Sequence, residues 1–122
     1  MRRLGEVLES LEGVIAARKG GDPARSYTSR LLAGGVAASG AKVIEEAGEL
    51  VAAATDEHDD RVVSETADLI YHTLVLLAAR DVPFTRVEDE LARRFGMSGL
   101  DEKASRAEKP LRPPQTGPGG TL

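Results

Sequence analysis

Apolar positions recur at helical spacing along most of the chain. In LGEVLESLEGVIAARKGG, Leu4, Val7, Leu8, Leu11 and Ile15 fall on one stripe, and Gly20–Gly21 supplies a stop. In GDPARSYTSRLLAGG, Asp22–Pro23 is a start signal for a short helix that ends at Gly34–Gly35. A long helix is expected over roughly 36–55. TDEHDD (55–60) then reads as a turn whose acids favour the start of the next helix. That helix runs to about Arg80, where DVP breaks it. Thr85 and Glu88 form a capping-box signature for RVEDELARRFG, which Gly96 stops. β-Branched residues are scattered and period-two alternation is absent, so no strand is predicted. The expected fold class is all-α.

Composition narrows this picture. With 122 residues, 3% aromatics and no Trp, the core must come from Leu, Val, Ile and Ala, which suits close-packed helices. A core this thin in a short chain favours association, since a partner covers the leftover apolar face. A helical bundle built around an antiparallel hairpin, completed by dimerisation, is therefore expected. The segment 109–122, KPLRPPQTGPGGTL, holds four of the six prolines and three glycines and cannot offset its ordering entropy by burial. The reading is a domain over 1–108 followed by a disordered tail.

Charge and the missing residue types exclude several functions. A net charge of −4 argues against a basic nucleic-acid face. It also means that a polyphosphate ligand needs metal ions or a local basic cluster to offset repulsion. There are no cysteines, hence no disulfide framework and no thiolate metal site. LVLLAA (74–79), the longest apolar run, is too short to span a bilayer, and the N-terminus lacks a signal-peptide pattern. A cytoplasmic protein without membrane or nucleic-acid partners is expected.

The candidate chemistry lies in two acidic stretches. In KVIEEAGEL (42–50), Lys42, Glu45, Glu46 and Glu49 share one helix face, with Val43, Ala47, Leu50, Val51 and Ala54 roughly opposite. In SETADLIYH (64–72), Glu65, Asp68 and His72 again share a face, and Val63, Ala67, Ile70, Leu74 and Leu77 are expected to supply the apolar packing. In an antiparallel hairpin, residues equidistant from the turn lie level. The pairs 49/65, 46/68 and 42/72 all have their midpoint at residue 57, inside the predicted turn. Glu49 is thus set opposite Glu65, Glu46 opposite Asp68, and Lys42 level with His72. Carboxylates gathered this closely repel, and a bound Mg²⁺ resolves the conflict because it prefers carboxylate and water oxygens and takes substrate phosphates as well. The alternative is two solvated acidic faces pointing different ways.

Other site chemistries fit less well. Di-iron bundles use Glu-x-x-His on two helices, whereas this patch holds one histidine. His58 sits in the turn, where solvent exposure is expected. GVAASGAK (35–42) lacks the Gly-Lys step and the preceding strand of a P-loop.

Glu46-x-x-Glu49 followed by Glu65-x-x-Asp68 resembles the metal motif of the all-α, MazG-like nucleoside triphosphate pyrophosphohydrolases. SYTSRLL (26–32), KVIEEAGELVAAA (42–54), ETADLIYHTLVLL (65–77) and SGLDEKASR (98–106) together resemble the phosphoribosyl-ATP pyrophosphohydrolases, in order and spacing. The resemblance implies hydrolysis of phosphoribosyl-ATP to phosphoribosyl-AMP and pyrophosphate, the second step of histidine biosynthesis, by a homodimer. It assigns Mg²⁺ to Glu46, Glu49, Glu65 and Asp68, with Glu45 orienting or deprotonating the attacking water. Arg30 and Lys42 are the first phosphate candidates, and Lys103 and Arg106 the next. His72 is either a supporting residue behind the ligands or a satisfied core histidine. Tyr71 is expected in the core, and Tyr27 is left between the core and the nucleobase. Family members often carry two adjacent basic residues where this chain has Ala41–Lys42. The remaining alternatives are a relative acting on other nucleoside triphosphates and a non-catalytic helical interaction protein.

Overall fold

The computed structural model describes residues 4–96, and these contain five helices and no strand. They are α1 (Leu4–Arg18), α2 (Tyr27–Ala33), α3 (Gly35–Asp56), α4 (Asp59–Ala79) and α5 (Phe84–Phe95). The all-α expectation is met. The proposed tail at 109–122, and the candidates Lys103 and Arg106, lie outside the described residues. The chain divides into two compact units, one running to Phe84 and the other starting at Thr85.

The first unit is organised by the α3–α4 hairpin. Only Glu57 and His58 separate the two helices, as C-cap and N-cap, and the Glu57 N–H closes α3 onto the Ala53 carbonyl. Asp59 and Asp60 occupy the first turn of α4, where negative charge complements the helix dipole. The turn therefore falls at the predicted midpoint, and His58 is exposed as expected.

The apolar core lies toward the C-terminal half of α4. Ile15, Leu31, Leu74 and Val75 are buried together, with Leu8, Leu11, Leu32, Tyr71, Leu77, Ala78 and Phe84 packed around them. These residues come from α1, α2, α4 and the start of α5, and none from α3. Lys19 at the end of α1 donates to the Ala78 carbonyl at 3.0 Å and pairs with Asp81. Glu12 accepts from the Phe84 N–H at 2.6 Å.

Expectations about helix starts and about packing need correction. The short helix begins at Tyr27, not at Asp22–Pro23. Asp22 instead closes a turn, accepting from the Ala24 N–H through its side chain and from the Arg25 N–H through its carbonyl. Ser26, in extended backbone, is the better cap, since its hydroxyl accepts from the Ser29 N–H at 3.1 Å. Likewise α5 begins at Phe84, so Thr85 lies within its first turn and not at the cap.

The second correction concerns packing. Val63 and Ile70 were expected to bury against the bundle, yet they are 67% and 36% exposed, beside Val51 at 66% and Ile44 at 76%. By contrast Glu46 and Glu65 are only 7% and 3% exposed. The hairpin buries two carboxylates of the cluster, leaves Glu45, Glu49 and Asp68 exposed at its margin, and turns a row of apolar side chains outward. The exposed pairs 51/63 and 44/70 share midpoint 57 with the acidic pairs, so one register generates both faces. By length and composition α4 passes as a membrane-crossing helix, but it carries buried Glu65 and His72 and packs along α3.

Gly34 joins α2 to α3 as the C-cap of one and the N-cap of the other. A Cβ there would stand 2.5 Å from the Ala38 Cβ, so Gly34→Ala must spread the junction. A loss of about 1–3 kcal/mol is expected from such overpacking, readable as a lower urea midpoint at unchanged m-value.

In the second unit, the described part of α5 carries Glu90 paired with Arg93 at 2.5 Å and with Arg94 at 2.9 Å. Hydrogen bonds from Arg93 and then Arg94 hold the Glu90 carboxyl down at about 2. Gly96 follows with φ +64, the left-handed conformation that ends helices.

Candidate active site

The short α3–α4 turn holds the acidic stretches level with each other. Two overlapping triads result: Glu45, Glu46 and Glu49 along α3, and Glu46, Glu65 and Asp68 across the hairpin. In each triad one oxygen per residue lies within 4.8 Å of the others. Glu46 belongs to both. Glu49 joins the patch through α3, and its charge is felt at Glu65. The structure thus brings together the five carboxylates singled out from the sequence.

Their electrostatics are strained. Burial above all, then Glu49, Asp68 and Glu46, push the Glu65 carboxyl above the usual carboxylate range, against the opposing pull of Arg61. Glu65 Oε1 is buried without a hydrogen-bond partner among the described residues. A buried carboxylate oxygen in this condition is costly unless a ligand satisfies it. The donor set is all oxygen and strongly anionic, which fits a hard divalent cation and not a soft one.

Among the described residues, two cations reach the patch. Lys42 Nζ lies 3.0 Å from Glu45 Oε1 and 3.6 Å from Glu46 Oε2. The hydrogen bond to Glu45 is the main cause that raises the Lys42 ammonium to about 12, and burial only partly opposes it. Its contribution to stability is present below pH 10.5 and lost as the pH rises through about 12, so Lys42 stays cationic at neutral pH. Arg61 is the second cation, with Nη2 2.6 Å from Glu65 Oε2 and Nε 3.2 Å from Glu57 Oε1. Sequence reasoning passed over Arg61, although the four-residue steps Glu57–Arg61–Glu65 were its signal.

Helix α2 closes one side. Ser29 Oγ donates to the Arg18 carbonyl at 2.7 Å, tying α2 to the end of α1, and Thr28 shares a hydrogen bond with the Tyr71 hydroxyl. Tyr71 packs on the core, as expected. Tyr27 is partly exposed and its hydroxyl lies 3.0 Å from His72 Nε2. His72 Nδ1 lies 2.7 Å from the Asp68 carbonyl. A carbonyl only accepts, so Nδ1 donates to it, and Nε2 shares its hydrogen bond with the Tyr27 hydroxyl. His72 is therefore buried and satisfied while bracing the turn of α4 that carries Asp68. Arg30 is exposed, with its guanidinium carbon 5.6 Å from the Tyr27 ring centroid. Lys42 turns to Glu45 and Glu46 on its own helix, and Tyr27 is close enough to act on its charge.

Together these features define an all-α protein whose central helix hairpin encloses a carboxylate cluster flanked by basic side chains. The sequence profile described as phosphoribosyl-ATP pyrophosphohydrolase matches residues 8–95. A phosphoribosyl-ATP pyrophosphatase of Novosphingobium aromaticivorans is 52% identical over 103 residues, covering 84% of this chain and 96% of the relative. One from a Caulobacter species is 53% identical over 106 residues, 87% and 98% of the two chains. One from Paramagnetospirillum magneticum is 50% identical over 109 residues, 89% and 100%. The chain belongs to the phosphoribosyl-ATP pyrophosphohydrolase family.

Proposed function

We propose that this protein hydrolyses phosphoribosyl-ATP to phosphoribosyl-AMP and pyrophosphate, in histidine biosynthesis, at the carboxylate cluster of the α3–α4 hairpin. The observation that carries this reading is the cluster itself: two triads joined at buried Glu46, in a chain of this family. Water supplies the new oxygen, the bridge between the α and β phosphates breaks, and pyrophosphate leaves.

Glu46, Glu65 and Asp68, with Glu49, would hold Mg²⁺. The bound ion would polarise phosphoryl oxygens, lower the pKa of its water and offset charge on the leaving group. Lys42 serves a substrate phosphate. Once Lys42 turns to that phosphate, Glu45 is left to orient or deprotonate the attacking water. Arg30 adds positive charge from the exposed face of α2, and Lys103 and Arg106 remain candidates for the same anion. Tyr27 and His72 keep the Asp68 turn in place.

We further infer a homodimer. The rows Ile44, Val51, Val63 and Ile70 on the outer face are too apolar to be left to water, and a second copy covering them would supply the core that this short chain lacks. The enzyme is taken to work in the cytoplasm.

The test is pyrophosphate release from phosphoribosyl-ATP with Mg²⁺ and with EDTA, beside a panel of deoxynucleoside triphosphates. Release that requires Mg²⁺ and favours phosphoribosyl-ATP is expected. Preference for any deoxynucleoside triphosphate would overturn the substrate assignment, and release undiminished by EDTA would overturn the metal.

A further inference from the structure

We propose that Arg61 is a positioning residue of this site: by holding Oε2 of Glu65 it leaves Oε1 to a divalent cation shared with Glu46 and Asp68, and so raises the affinity for that cation. The proposal rests on reading the cluster as a metal site.

The geometry divides the two oxygens of Glu65. Arg61 Nη2 takes Oε2 at 2.6 Å, while Oε1 is buried and has no partner among the described residues. The side chain that carries them is 4% exposed, so solvent does not compensate Oε1. Arg61 approaches from the solvent side, itself half exposed. Its head group is nevertheless fixed at a second point, because Nε donates to Glu57 Oε1 at 3.2 Å. Glu57 caps α3 and Glu65 lies on α4, so one planar guanidinium joins the turn to the site. A lysine ammonium lacks this rigid fork and would hold Glu65 less exactingly.

Two effects of Arg61 on cation binding oppose each other. Its positive charge repels an incoming cation, whereas its hydrogen bond fixes the carboxylate and removes the cost of ordering it. With Oε2 already engaged and Oε1 left over, the cation has an oxygen to take without displacing Arg61. The positioning effect is therefore the one that wins. Groups that orient metal ligands in this way commonly alter metal affinity by about 10–100-fold.

Mn²⁺ binding, followed by the loss of the free-ion electron paramagnetic resonance signal, tests this on the full chain. The proteins compared are wild type, Arg61→Gln, Arg61→Lys, Glu57→Gln and Asp68→Asn. Arg61→Gln is expected to weaken Mn²⁺ binding about 10-fold. Arg61→Lys and Glu57→Gln are expected to weaken it less, and the Mn²⁺ concentration for half-maximal pyrophosphate release should rise in step. Glu57 is exposed, so its variant carries the test if Arg61→Gln does not fold. Unchanged affinity in these variants overturns the proposal, and so does tighter binding, which would make Arg61 a competitor for Glu65. If Asp68→Asn loses Mn²⁺ while Arg61→Gln keeps it, Arg61 alone was misread. If wild type binds no Mn²⁺, the metal site and the proposal fall together.

Discussion

Glu46→Gln is expected to lower pyrophosphate release by about 10²–10³-fold while the melting temperature holds or rises. Glu46 is the residue common to both carboxylate triads, so its loss breaks both. Support for a catalytic cation is worth several kcal/mol, and each 1.36 kcal/mol is tenfold in rate. Stability should move the other way. Glu46 is buried among like charges, and an amide of the same shape removes one of them. The contact to Lys42, at 3.6 Å and on the same helix, is too loose to reverse that sign. Steady-state pyrophosphate assays and thermal melts of the two proteins decide the matter. Activity within tenfold of wild type would remove Glu46 from the site, and a sharply lower melting temperature would make it structural.

The double variant Ile44→Glu, Val51→Glu is expected to convert a dimer into a monomer. Sedimentation equilibrium should give twice the 12.9 kDa chain mass for wild type and the single-chain mass for the variant. The two residues are 76% and 66% exposed, one heptad apart on α3, and a charge at each would be desolvated in any apolar interface. A wild-type protein that sediments at 12.9 kDa would refute the covering copy. Since Ile44 and Val51 are exposed and belong to no part of the buried apolar cluster, the variant chain itself should keep its helices in circular dichroism.

The hairpin was legible in the sequence because its two halves pair about one turn. Glu46 with Asp68 and Glu49 with Glu65 are arithmetic once residue 57 is recognised as the turn. The burial of Glu46 and Glu65 on that face was less legible. Helical periodicity separates Glu46 from Val51 but does not say which side meets the bundle, and the usual preference for buried valine misplaced Val63 and Ile70. The start of α2 was misjudged for a local reason: Asp22–Pro23 and Ser26 are competing start signals, and Ser26 prevailed through its hydrogen bond to the Ser29 N–H. Arg61 was missed because it lies outside both acidic stretches and reaches the cluster only through its long side chain.

The Glu57–His58 connection has a consequence for how this chain can vary. Exposed turns between helices ordinarily absorb insertions and deletions at little cost. Here a single added residue would shift the level of every α4 residue against α3, since the carboxylate pairs and the apolar pairs are counted from the same point. The most solvent-accessible break in the hairpin is thereby one of its most length-constrained positions. Variation among descendants of this protein should fall on the side chains at the turn and spare the number of residues between the helices.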